Sequence, residues 1–179
     1  KESKHLEPKK TITMNRIRPY VDRALEVFLM VLMGVLVLDV LWQVATRYIL
    51  NNPSAFTDEL AGFLLIWVGL FGGAYATGKR QHLAIDLLPQ RISPLKKPYL
   101  YLFINFVIAL FALTVLIIGG FRLVYLTYTL HQTSSALEVP LALVYIVLPI
   151  SGILIIYYSI CEMILNIRAI ANSKQTATV

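Results

Sequence analysis

The chain has 179 residues, 58% of them hydrophobic, with a formal charge of +6 at pH 7. A soluble domain has roughly half its residues apolar, and here the excess lies in long runs, which excludes an ordinary soluble enzyme or nucleic-acid-binding domain. The basic residues sit in the flanks and one loop and so describe membrane topology, and the single cysteine, Cys161, excludes an intrachain disulfide.

A membrane-crossing helix needs about 20 mostly apolar residues. Such runs occupy 24–46, 59–78, 99–128 and 139–165. They predict an all-α integral membrane protein with four transmembrane helices and short interfacial helices at its edges. A basic N-terminal segment, 1–23, precedes a four-helix membrane domain, 24–168, and a C-terminal tail, 169–179. The first run is too long for a signal-peptide core and lacks a small-residue cleavage site, so it reads as a retained anchor.

Residues 1–23 interleave Ile12, Ile17, Tyr20 and Val21 with arginines, and Pro19 interrupts them. A short helix at the lipid headgroups and a plain basic tail both fit. The first span holds Asp39 and Gln43, one helical turn apart and on one face. An aspartate at mid-span costs roughly 2.5–3.5 kcal/mol on insertion scales, so it faces protein or water. It serves either as a hydrogen-bonding group between helices or as an ion or proton site.

The turn that follows, with Asn51, Asn52, Pro53 and Ser54, leads into Asp58 and Glu59 at the head of the second span, where the helix dipole favours acids. Ser54 and Thr57 are candidate caps. The second span carries Trp67 and a Gly69/Gly73 pair, with Gly62 and Thr77 near the same face. Small residues at this spacing let membrane helices approach closely, so the face is expected to meet another helix, in this chain or in a partner.

The basic loop 79–98 contains His82 and Asp86, four residues apart, too few ligands for a metal site. Ser93-Pro94 is a helix-start signal. The third span exceeds the bilayer core and is expected to bend at Gly119-Gly120, with Arg122 near its far end. In the last connection, Ser135 and Glu138 have capping-box spacing. Pro140 suits an early helical position, Pro149 should kink the fourth helix, and the polar tail 172–179 carries no fold signal.

Basic residues alternate between segments. Residues 1–23 hold seven, the second loop holds five and the C-terminal end holds two, while the first loop has Arg47 alone and the third loop none. The positive-inside rule then puts both termini and the second loop in the cytoplasm. Arg47, Asp58, Glu59 and Arg122 fall at one outer level, where they could pair or be separately solvated.

The order Arg47-Tyr48, an Asn/Ser turn, Phe56, Asp58-Glu59, Leu60-Ala61, Trp67, a glycine-rich exit, His82 and Asp86 resembles the small membrane (Q) subunit of tripartite ATP-independent periplasmic (TRAP) transporters. Where that family tends to have Trp, two Glu and a following Arg, this chain has Phe56, Asp58, Glu59 and Gly62. The resemblance implies a non-catalytic subunit in the bacterial inner membrane. It pairs with a large multi-span subunit that moves carboxylates with Na⁺, and it helps a periplasmic binding protein to dock. A sialic acid system is the substrate expectation. Arg47, Asp58, Glu59, Trp67, Gly69, Gly73, His82 and Asp86 become expected partner-facing or scaffold residues, and Asp39, Gln43 and Arg122 the polar groups within the spans.

No catalytic, metal or cofactor site is expected, and the partners are protein and lipid, not nucleic acid. The rival is a small proton-coupled exporter that uses Asp39. A membrane haem protein would need histidines within the spans, and His5, His82 and His131 lie outside them.

Overall fold

The computed structural model describes residues 9–49, 54–79 and 97–176. Among these residues the chain is helical apart from its turns and one isolated antiparallel bridge, Thr133 to Pro140. Four stretches are long and apolar enough to cross a membrane: Arg18–Tyr48, Ala55–Gly78, Tyr99–Thr129 and Leu141–Arg168. The expected four-span, all-α architecture is therefore present. His82, Asp86 and Ser93-Pro94 lie outside the described residues.

Helix α1, Lys9–Tyr48, has 40 residues and a length of about 60 Å, twice the roughly 30 Å hydrocarbon core. It runs through Pro19 without ending, where the sequence suggested an interruption. A proline removes one backbone hydrogen bond and strains the preceding turn. Here side-chain bonds to other helices hold Arg18 and Asp22 on both sides of Pro19.

Helix α2 is Ala55–Gly78, with Ser54 as its extended N-cap residue. The Ser54 side chain makes no capping bond. Thr57 Oγ1 instead donates to the Ser54 carbonyl at 3.0 Å.

The third span is built from α3, Lys97–Phe111, a π-helical segment, Ala112–Gly119, and α4, Gly120–Thr129. The irregularity expected at Gly119-Gly120 spreads over the preceding two turns. Thr114 Oγ1 donates to the Leu110 carbonyl, a local competitor for helix hydrogen bonds.

The fourth span divides into α5, Leu141–Tyr145, and α6, Val147–Thr176, with a turn at Ile146. Pro149 has no N–H for the Tyr145 carbonyl, and the helix breaks in the turn before it. Pro140 is the N-cap of α5 and lies just outside it. The Ser135/Glu138 capping box does not form. Glu138 takes a positive φ of 53°, and the Ser135 N–H donates to Glu59. Helix α6 continues to Thr176, past the point where the sequence loses any fold signal.

The spans stand in a row: α1 packs on α2, α2 on α6, and α6 on α3 and the π segment. The core is the seam between them. Leu25, Phe71, Val147 and Tyr158 are buried together, with Trp67, Leu70 and Leu154 packed around them. Phe28, Trp67 and Phe71 form an aromatic cluster, with the Phe28 and Phe71 rings edge to face at 5.2 Å. Outward faces carry large apolar side chains such as Leu38, Leu41, Leu65 and Phe103.

Glycines mark where helices touch. A Cβ on Gly78 would meet the Tyr158 ring at 2.7 Å, and one on Gly152 would meet Leu116 and Ile117 at 2.9 Å. One on Gly120 would meet Leu148 at 2.9 Å. Gly62, Gly69 and Gly73 have nothing within 4 Å, so the expected Gly69/Gly73 contact is not made among the described residues. Tyr158 is fully buried and its hydroxyl is bonded to Asp22, so it cannot swing aside. Gly78→Ala should therefore destabilise the purified chain by about 1–3 kcal/mol, as overpacking does. Gly69→Ala should leave thermal stability in detergent unchanged; equal effects of the two would contradict this packing.

Candidate functional site

Polar side chains gather at the two ends of the row. At one end Arg18 reaches across from α1. Its guanidinium donates to the Gly78 carbonyl at 2.6 Å and to Glu162 Oε1 at 2.9 Å. The first bond satisfies a backbone acceptor at the C-terminus of α2. The second neutralises Glu162, which is only 3% exposed. One turn along, Tyr158 donates its hydroxyl proton to Asp22 Oδ1 at 2.6 Å. Asp22 faces Tyr158 and Arg18 faces Glu162, so α1 and α6 run antiparallel with matched turns. Three helices are fastened here by one cation and one phenol.

At the opposite end, Glu59 in the first turns of α2 reaches the loop between α4 and α5. Its carboxylate accepts from the Ser134 hydroxyl and from the backbone N–H groups of Ser135, Ala136 and Leu137 at 3.1, 3.0 and 3.2 Å. Successive N–H groups converging on one anion form a nest. Asp58, on the exposed side of α2, accepts from the Gln43 amide and so links α1 to α2. Gln43 is thus turned toward Asp58.

Asp39 is buried, and its Oδ2 has no hydrogen-bond partner among the described residues. Trp67 sits in the middle of the seam, where its indole N–H donates to the Val144 carbonyl at 3.0 Å, beside the break in the fourth span.

Of the residues singled out from sequence, the structure joins Gln43 to Asp58 and ties Glu59 and Trp67 to the fourth-span side of the row. Arg47 and Arg122 are exposed, and among the described residues neither forms an ion pair; the pair that does form is Arg18–Glu162. Gly69 and Gly73 lie on an open face. Arg18, Asp22, Tyr158, Glu162 and Ser134 were not singled out. Glu162 had a signal: an acid within an apolar run requires a partner.

This arrangement defines a multi-pass helical membrane protein, with polar fasteners at its ends and a largely apolar middle. Over residues 36–169 the chain matches the family of tripartite ATP-independent periplasmic transporters, DctQ component, and it belongs to that family. It is 24% identical over 154 residues to a TRAP transporter small permease protein of Haemophilus influenzae, covering 86% of this chain and 94% of the relative. It is 32% identical over 82 residues to the sialic acid TRAP transporter small permease protein SiaQ of Vibrio cholerae, covering 44% of this chain and 47% of the relative. It is also 28% identical over 130 residues to the isethionate TRAP transporter permease protein DctMQ of Oleidesulfovibrio alaskensis, covering 69% of this chain but 20% of that much longer one. TRAP small subunits pair with large permease subunits, and the family is a transport component rather than an enzyme.

Removing one member of a buried ion pair costs about 3–5 kcal/mol. Arg18 is 24% exposed, so Arg18→Gln should fall near the lower bound, about 3 kcal/mol. Glu162→Gln, which leaves no buried charge behind, should cost less. Thermal unfolding of the purified chain in nanodiscs checks the order, and a wild-type midpoint for Arg18→Gln would show that the bridge contributes nothing.

Proposed function

We propose that this chain is the static small subunit of a Na⁺-coupled TRAP transporter for carboxylates, widening the scaffold of the large permease and helping the periplasmic binding protein to dock. The observation that carries this reading is the chemistry of the spans. A secondary transporter holds substrate and ions on polar groups and broken helices near mid-membrane. Among the described residues the seam offers apolar and aromatic packing with Asp39 as its one buried acid at mid-span, and the groove beside the break at Ile146 is apolar, with Trp67 bonded to the Val144 carbonyl. Transport then falls to the large subunit. The partial likeness to a sialic acid small permease supports sialic acid as the substrate.

The alternating loop charge supports the orientation: both termini and the basic second loop in the cytoplasm of a bacterial inner-membrane protein, with the Glu59 end outside. The open Gly62/Gly69/Gly73 face of α2 is the candidate contact with the large subunit, because small residues let helix backbones approach in lipid. An independent exporter built on Asp39 is not favoured, since family membership makes the chain one component of a transporter.

Reconstituted alone, the chain should give no uptake of labelled sialic acid under a Na⁺ gradient, whereas adding the large permease and binding protein should give it. Uptake by the chain alone would defeat the scaffold reading and bring Asp39 forward. Gly69→Leu should leave the isolated chain folded yet lower its co-purification with the large subunit. An undiminished yield of complex would assign that face to lipid.

A further inference from the structure

We propose that the loop 131–140 is the surface on which the soluble binding protein docks, and that Glu59 is the positioning residue that holds this loop in shape. The inference rests on the reading that the small subunit takes a role in docking, and it assigns that role to one element.

The loop is built beyond what a connection requires. It contains no glycine; His131 takes a left-handed φ of 48° as the residue that closes a Schellman cap on α4, and Glu138 takes a left-handed φ of 53° within the loop itself. Such conformations persist in non-glycine residues only where the surroundings over-determine them. The determining contacts are present. The Gln132 N–H donates to the Thr127 carbonyl at 3.1 Å, the Ser134 N–H to Val139 at 2.9 Å, and the Leu141 N–H to Gln132 at 3.0 Å. Between these closures lies the nest of Ser135, Ala136 and Leu137 N–H groups, and its anion comes from another helix, as the Glu59 carboxylate. Without that carboxylate, the Ser135 and Ala136 N–H groups would lose their acceptor and the Leu137 N–H would keep only the Ser134 hydroxyl at 3.3 Å.

The product is a loop closed by its own hydrogen bonds, with polar side chains on its outer face. His131, Gln132, Thr133, Ser135 and Glu138 are exposed on it. Beside them is a shallow pocket of 120 Å³, lined by Thr127, Tyr128, His131, Gln132, Thr133 and Pro140. A preformed surface binds a partner without the entropy loss of ordering a loop. The loop has no Lys or Arg, so anionic lipid headgroups are not its partner. A soluble protein fits, one that offers hydrogen-bond donors to Glu138 and a side chain to the pocket.

The test uses the assembled transporter in nanodiscs and the fluorescently labelled binding protein of the same system. Thr133→Cys in a Cys161→Ala background should first be labelled on whole cells by an impermeant thiol reagent; protection there would place the loop on the wrong side and overturn the proposal. Gln132→Arg and Ser135→Arg should lower binding-protein affinity about tenfold, in the range of a single interface position, without changing backbone amide exchange in the loop. Glu59→Gln should lower affinity and also speed exchange at residues 134–138. Faster exchange at unchanged affinity would remove the positioning role of Glu59. If the two loop variants bind normally while Arg47→Glu or Asp58→Arg weakens binding, docking stands and this loop is the wrong surface. If none of the four weakens binding, the docking reading itself fails.

Discussion

Lipid offers no hydrogen-bond donors or acceptors, so each polar group carried into the spans must be satisfied by protein or held at an end. The chain meets this constraint in two chemically different ways at its two ends, while Asp39 Oδ2, Tyr157 Oη and Ser159 Oγ within the spans have no hydrogen-bond partner among the described residues. Glu162 is met by a guanidinium that also serves the last carbonyl of α2, that of Gly78. Glu59 is met by neutral donors, three of them backbone N–H groups. The first solution matches charge with charge and fastens three helices whose relative positions it fixes. The second uses a charge to shape a loop. Gly78 belongs to the first solution, because its missing side chain lets the Tyr158 ring lie against α2 while the hydroxyl reaches Asp22.

A row of helices buries less than a closed bundle, which accounts for the many exposed apolar side chains on α1 and α3. In water such faces would drive association. In lipid they cost little, because acyl chains are as apolar as leucine, and the same fact removes burial as a force holding the row together. Specific contacts must do so. Gly78, Gly120 and Gly152 permit close approach along α6, and the hydrogen bonds from Arg18, Tyr158 and Trp67 cross between helices. Helix α6 sits inside the row and carries most of these contacts, and it holds most of the fully buried side chains.

The four spans were legible because length and hydropathy are one-dimensional properties, and lipid imposes them directly. The family was legible because its motif lies on one continuous stretch around Asp58 and Glu59. Partners across the row were not legible. Nothing in the spacing says that Arg18 meets Glu162, 144 positions away, or that Glu59 reaches past Arg47 to the third loop. Asp39 and Gln43 share a face, as periodicity required, yet Gln43 bonds across to Asp58 because the amide lies near the head of α2. The Ser135/Glu138 spacing suggested a helix cap, but the local cap lost to a long-range acceptor with full charge. Charge-assisted bonds are roughly twice as strong as neutral ones, so Glu59 takes the N–H groups that a capping box would have organised differently.

The irregular backbone within the spans bears on what the middle of the molecule can do. Unwound or kinked segments in transporters line a cavity, where freed carbonyls coordinate ions. Beside the break before Pro149, Trp67 takes the Val144 carbonyl and Gly120 admits Leu148 and Pro149 against α4, and the 270 Å³ groove lined by Leu64, Trp67, Leu143 and Val144 is apolar and so offers no ion ligands. The π segment is similarly closed by Gly152, which brings α6 against Leu116 and Ile117. Each distortion is matched by a small residue or a donor on the facing helix. The irregularities therefore act as fitted joints between helices, and both lie at the contact between the third and fourth spans. A joint of this kind resists sliding of one helix along the other, because a shift of one turn would drive a side chain into the space that glycine leaves. That resistance agrees with the static role proposed for this subunit.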